Sequence, residues 1–186
     1  MRNVQDGVTS YCSRRPTTTP HTKLSMTAKE YNACVDQWSD NLYRFALKTL
    51  KDAETAKDVV QEAFTRLWVK AEEVDAAKAK SYLFTSAYHL SIDHFRREKK
   101  SGEMDLAAEN TLQTKQPTSD LSEILHEALN RLNEVQRSVL LLRDYEGYSY
   151  KEIEDMTGLN ESQVKVYIYR ARLAMRDFLV KMEYVL

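Results

Sequence analysis

Apolar residues recur at helical spacing along most of the chain, and few runs alternate with a period of two, so the pattern predicts an all-α fold. Folding is expected to begin at Met26. Thr27 and Glu30 form a capping box, and Tyr31, Val35, Trp38, Leu42 and Phe45 follow on one face. A second helix is predicted from about Ala53 to Glu73, with Ala56, Val60, Ala63, Phe64 and Leu67 inward. After a connector, Val74 to Lys80, Ser81 is expected to open a third helix that continues to about Lys99. Phe84, Ala87, Tyr88, Ser91 and Phe95 form its inner arc, and Tyr82, Thr85, His89, Asp93, Arg96 and Lys100 its outer one.

Periodicity then breaks. Residues 101–119 contain Gly102, Pro117 and three acids against one lysine, which reads as an acidic flexible linker between two small helical domains. Beyond it, Asp120 with Glu123 is expected to cap a helix that continues to about Asn130. Asn133 with Gln136 caps another carrying Val135, Val139 and Leu142 and stopping at Gly147. These two should pack behind the last pair. Ser149 and Glu152 form a capping box, Gly158 supplies a tight turn, and Asn160 with Gln163 starts the final helix, which together make a helix-turn-helix candidate.

The final helix buries Val164, Ile168, Ala171 and Met175 and presents Ser162, Val166, Tyr169 and Leu173 on the opposite side. From Glu161 to Arg176 four cations (Lys165, Arg170, Arg172, Arg176) face one acid, a local +3 in a chain of net charge -1. Such a helix suits a major groove, with cations for phosphates and exposed side chains for base edges. An ordinary amphipathic helix with a solvated basic face fits the same pattern. Arg96, Arg97, Lys99 and Lys100 fit a nucleic-acid backbone, but they also fit a helix C-terminus whose dipole favours cations. His89 and Asp93 stand at metal-ligand spacing without a convincing third ligand, so no metal and no other cofactor is expected.

With 186 residues, 42% of them hydrophobic, the chain can bury real cores. No apolar run is long enough to span a bilayer and no signal-peptide core is evident, so a cytoplasmic location is expected. Cys12 and Cys34 read as reduced thiols. Residues 1–25, rich in Thr, Ser, Arg and Pro, read as a disordered tail. No Walker loop, nucleophile elbow or supported carboxylate pair points to an enzyme.

Taken together, Asp58-Val-Val-Gln-Glu-Ala-Phe64 with Trp68, then residues 81–100, 128–153 and 163–175, resemble the extracytoplasmic-function group of bacterial RNA polymerase sigma factors. The likeness covers about Met26 to Leu179 in order. It implies an N-terminal domain (26–100) that docks on polymerase and melts the promoter, the linker (101–119), and a C-terminal domain (120–186) that reads the upstream element. Asp58, Gln61 and Glu62 would face the β′ clamp helices. Lys78, Lys80, Tyr82, His89, Arg96, Arg97 and Lys100 would handle the opened minus-ten element. Ser162, Gln163, Lys165, Val166, Tyr169 and Arg170 would read the minus-thirty-five element.

The resemblance further implies a monomer that binds core polymerase through the β′ clamp and β flap, promoter DNA, and an anti-sigma factor. The chain departs from the family in its connector, where Val74 replaces the usual aromatic and no glycine is present. It departs also at His89, where asparagine is usual, at Glu154, where a small residue is usual, and at Tyr167, where a basic one is common. A stand-alone helix-turn-helix regulator, or a helical polymerase adaptor that never touches bases, would share part of the pattern.

The change of character at residue 26 makes Met26 the expected initiator. Intact-mass measurement of the native protein should give a chain starting there, and a mass beginning at Met1 overturns the expectation.

Overall fold

A computed structural model of the protein describes residues 26–102 and 120–183. The expected tail and most of the expected linker lie outside the described residues. Seven α-helices are present among the described residues: α1 Ala28–Leu50, α2 Ala53–Val69, α3 Ala79–Gly102, α4 Asp120–Asn130, α5 Glu134–Leu140, α6 Tyr150–Thr157 and α7 Glu161–Glu183. No strand occurs among them.

Local chemistry sets most boundaries. Thr27 accepts the Glu30 amide at 3.3 Å while the Glu30 carboxylate takes the Thr27 amide at 2.7 Å, closing the first capping box. α1 stops at Lys51, whose left-handed φ of 68° lets its N–H reach the Leu47 carbonyl. Asp52 then caps α2 by accepting the Thr55 amide at 2.7 Å.

Two boundaries differ from the periodicity. α2 ends at Val69 rather than Glu73, because after Leu67 the chain offers no further buried position; Trp68 and Val69 are already exposed and residues 70–73 turn. α3 begins at Ala79 rather than Ser81. Asp75 accepts the Ala77 amide at 3.0 Å and starts a 3₁₀ turn, Ala76–Lys78, that runs directly into the helix, and Ala79 is completely buried.

Helices α1 to α3 enclose Leu42, Phe45, Leu67, Leu83 and Phe84, all nearly inaccessible. Each such side chain contributes roughly 2 kcal/mol of burial. In the second domain α4 and α5 pack behind α7, and Val139, Leu142, Ile153, Val164 and Ile168 fill the centre. α5 passes without a break into a π-helical turn, Leu141–Tyr145, and Gly147 at φ 82° ends it.

The sequence predicts two domains on a slack tether, and the structure docks them against each other. Phe84 of α3 meets Tyr148 of the second domain edge-on, with ring centroids 5.9 Å apart. Arg137 of α5, only 3% exposed, donates to three carbonyls: Thr49 in α1 at 2.5 Å, Leu132 at 2.8 Å and Leu129 at 3.1 Å. The Lys51 ammonium reaches the Asn130 carbonyl at 3.1 Å, and the Lys48 ammonium lies 3.6 Å from the centre of the Tyr145 ring.

Arg137→Ala should cost about 3 kcal/mol, because the buried carbonyls of Thr49 and Leu132 lose the guanidinium donor, while that of Leu129 keeps only the Leu132 amide at 3.1 Å. Urea unfolding of the variant checks this, and a loss below about 1 kcal/mol would show the carbonyls are satisfied otherwise.

Candidate nucleic-acid interface

Helix α6 starts with a reciprocal cap, the Ser149 amide donating to Glu152 at 2.8 Å and the Glu152 amide to the Ser149 hydroxyl at 3.2 Å. It ends at Gly158, whose φ of 73° disfavours any side chain although a Cβ there would meet nothing within 4 Å. Asn160 and Gln163 exchange the equivalent pair of bonds, at 2.8 and 3.0 Å, and launch α7. The turn is therefore fixed on both sides by short-range hydrogen bonds. Glu154, which stands where a small residue would ease the approach of α6 to α7, bends back to Lys151 at 2.8 Å.

Rotation of α7 buries Val164, Ile168 and Ala171 and leaves Ser162, Gln163, Lys165, Val166, Tyr169 and Arg170 outside. Tyr169 is 68% and Val166 44% exposed, a costly display for apolar surface on a helix with a good buried face. Most cations around them are held in place. Lys165 pairs with Glu161 at 2.6 Å, which raises the lysine pKa and lowers that of the acid, and leans toward the Tyr150 ring. Arg172 grips Asp144 with two nitrogens, and Arg143 stacks on Tyr150 while donating to the Tyr148 carbonyl at 2.8 Å. Arg170 is exposed and holds no ion pair among the described residues.

The residues grouped on the third helix separate into two sets. Lys78, His89, Arg96, Arg97 and Lys100 lie on open surface. His89 stands edge-on to Tyr88, Arg96 pairs with Asp93 at 3.4 Å, and Arg97 donates to the Asp93 carbonyl at 3.3 Å. Lys80 and Tyr82 instead sit at the domain seam. The Lys80 ammonium is 3.3 Å from the Glu146 carboxylate and 3.3 Å from its carbonyl, and 5.0 Å from the centres of both Trp38 and Tyr148. Tyr82 is half-buried in a cleft of about 710 Å³, opposite Glu152, Asp155 and Met156 of α6. Val74 lines the same cleft and packs against the core. Tyr167 is half-buried on α7.

On α2, Asp58, Gln61 and Glu62 are all exposed on one face. Glu62 pairs with Arg66 at 2.8 Å, and a groove of about 1000 Å³ runs from this face to Leu90 and His94 of α3. No group of three or more metal-ligating side chains gathers among the described residues.

Residues that sequence reasoning passed over are those that join the domains: Arg137, Tyr145, Glu146 and Tyr148. Arg137 left one trace, a cation two residues before the apolar run Val139 to Leu142. The others left none, since their partners are 60 or more positions away, as with Lys80 and Glu146 at a separation of 66.

Residues 34–101 match the family model of sigma-70 region 2 and residues 122–175 that of sigma-70 region 4. The chain is 30% identical over 149 residues to the RNA polymerase sigma factor SigV of Bacillus subtilis, covering 80% of this chain and 90% of that one. It is 31% identical over 155 residues to the ECF RNA polymerase sigma factor SigL of Mycobacterium tuberculosis, covering 77% and 85%. In fold it is similar to the sigma factor RpoE solved in complex with the anti-sigma factor NepR from Bartonella quintana, with a TM-score of 0.69, 22% identity, and 81% and 97% of the two chains covered. It is also similar to CnrH in complex with the cytosolic domain of CnrY, with a TM-score of 0.61, 21% identity, and 83% and 90% covered.

Three helix starts share one pH dependence. Hydrogen bonds from Thr27 to Glu30, Thr55 to Asp52 and Ser149 to Glu152 hold these carboxyls below their ordinary values. Their folded pKa lies below the unfolded one, so their stabilisation is complete above about pH 4.5 and fades as pH falls through the folded values. The thermal midpoint should therefore drop between about pH 5 and pH 3. The double variant S149A/E152Q should start lower by about 1 kcal/mol and lose less over that range; an unchanged slope in calorimetry would remove Glu152 from the effect.

Proposed function

This chain belongs to the extracytoplasmic-function group of the sigma-70 family, and we propose that its promoter contacts are divided between the exposed face of α7 and the outer surface of α3. It is an RNA polymerase sigma factor that recognises promoters. Carrying both region 2 and region 4 sets it apart from a stand-alone helix-turn-helix regulator.

The observation that carries the assignment of residues is the strip Val166, Tyr169 and Arg170, exposed on a helix whose opposite face is buried. In a major groove the aromatic and aliphatic surface meets base edges and methyl groups, and Arg170 is unencumbered for a guanine or a phosphate. Lys165 exchanges Glu161 for a phosphate. Ser162 and Gln163, at the start of α7, stand where helix amides approach the DNA backbone.

On α3, His89 and Tyr82 take up unpaired bases while Lys78, Lys80, Arg96, Arg97 and Lys100 follow the strand. Opening is driven by trapping: unstacking a base costs a few kcal/mol, which stacking and pocket hydrogen bonds offset. Histidine at position 89 in place of asparagine changes the hydrogen-bonding set offered to a flipped base, so base preference there is this chain's own. No catalytic group is required of this chain, and the polymerisation chemistry belongs to its partner.

Asp58, Gln61 and Glu62 form the face for the β′ clamp helices, and the second domain meets the β flap. Two of the similar solved structures are complexes of sigma and anti-sigma factors, which supports a regulator of that kind for this chain. No helix among the described residues is long and apolar enough to cross a membrane.

Lys165→Ala should weaken promoter binding by the holoenzyme and reduce the slope of log affinity against log salt by about 0.9. Arg170→Ala should cost about 1–3 kcal/mol with selectivity relaxed at one upstream position. Transcription from a genomic library by purified core polymerase with each variant reads both effects. Unaltered initiation with both would remove α7 as the reader.

A further inference from the structure

We infer that the exposed strip of α7 reads thymine methyl groups, with Val166 on one base step and the ring of Tyr169 a step or two along. This deepens the assignment of α7 to the upstream element and rests on it.

Base pairs differ in the major groove by their acceptors, their donors and the thymine methyl, so what a helix reads depends on which of its groups are free. Most polar groups at the start of α7 are already in use. The Gln163 side-chain oxygen accepts the Asn160 amide at 3.0 Å, and the Gln163 amide donates to the Asn160 side chain at 2.8 Å. Adenine takes both the oxygen and the nitrogen of a glutamine side chain, so Gln163 can serve one only by giving up the cap that starts its helix. Between Glu161 and Arg176 the only carboxylate is that of Glu161, and Lys165 holds it at 2.6 Å. The acceptor that a cytosine amino group calls for is therefore engaged too.

Left facing outward are Ser162, Val166, Tyr169 and Arg170, all exposed. A serine hydroxyl bonds donors and acceptors alike, so it separates bases poorly. Val166 and Tyr169 offer apolar surface, and the group in the groove that apolar surface recognises is the C5 methyl of thymine. They stand three residues apart, roughly 4.5 Å along the helix axis, against about 3.4 Å between base pairs. Two side chains so placed meet different steps. Arg170 has guanine or a phosphate open to it and takes no part in reading methyls.

The test uses holoenzyme reconstituted from core polymerase and the full chain, with promoter duplexes recovered by transcription of the genomic library. Each thymine of the upstream element is replaced in turn by deoxyuridine, which pairs identically and lacks only the methyl. At two positions, a step or two apart, wild-type affinity should fall about fourfold, the worth of one buried methyl. V166A should lose that sensitivity at one position and Y169A at the other. Y169F should keep it, because the ring and not the hydroxyl makes the contact. Both positions are exposed, so the variants should fold as wild type does, and circular dichroism checks that they do.

Wild-type binding indifferent to deoxyuridine at every upstream position overturns the inference, as does an upstream element made of G·C pairs alone. Losses that persist in both V166A and Y169A overturn the assignment to these two side chains. The underlying assignment fails differently: K165A, V166A, Y169A and R170A would then all bind the promoter as wild type does. Weakened binding by R170A with every methyl dispensable keeps α7 as the reader and removes methyl recognition alone.

Discussion

One buried guanidinium fixes how the two halves of this molecule meet. Arg137 lies where α1 and α4 both run out of intrahelical donors, and its nitrogens serve the carbonyls of Thr49, Leu129 and Leu132. Burial pushes its pKa down, yet arginine begins so high that it keeps its charge. A cation at the negative ends of two helices is stabilised by their dipoles without a carboxylate in contact. The same side chain therefore closes the helical hairpin of its own domain and holds the end of the other. Burial lowers the pKa values of His126 and Lys51 nearby, and the positive charge of Arg137 adds to both shifts. Removing the arginine would loosen the second domain and the seam together, whereas removing a ring at the seam loosens the seam alone.

What the amino-acid pattern could and could not reveal follows from range. Thr27 with Glu30, Ser149 with Glu152 and Asn160 with Gln163 are bonded three residues apart, so their caps are readable from composition and spacing, and all three form. The stripe Val164, Ile168, Ala171 is likewise local, and it sends Val166, Tyr169 and Arg170 outward without help from elsewhere in the fold. Boundaries slipped where two signals competed. Asp75 captures the entry to α3 ahead of Ser81, and the polar run after Val69 ends α2 before its periodicity does. The seam was scarcely legible, with Arg137 beside an apolar run its one trace. Lys80 meets Glu146, and Arg137 meets Thr49, across separations of 66 and 88 residues, and nothing in either neighbourhood marks the partner.

Charge is arranged locally in a chain with almost none overall. The net charge of -1 gives no general attraction to nucleic acid, so binding depends on where cations are left free. On α7 most basic side chains are held by acids or rings, and Arg170 is presented unpaired among the described residues. Held cations cost less to order on binding than free ones, and their acid partners compete with phosphate. A salt-sensitive grip with few free charges suits a factor that must find one promoter among many sites and then let go.

The placement of the three surfaces also constrains the order of events. Asp58, Gln61 and Glu62 lie on the outer face of α2, which packs on α1 and α3, and they are exposed with the domains docked. The α7 strip is exposed in that state too. Lys80 and Lys99 are instead engaged by the opposite domain, and Lys78 and Tyr82 line the cleft beside it. On the assignments proposed above, the face for polymerase and the face for the upstream element are therefore both open while the domains are docked. Separation exposes the ring of Tyr148 and leaves Glu146 and Lys80 to water, so it has a cost that polymerase contacts on both domains must offset.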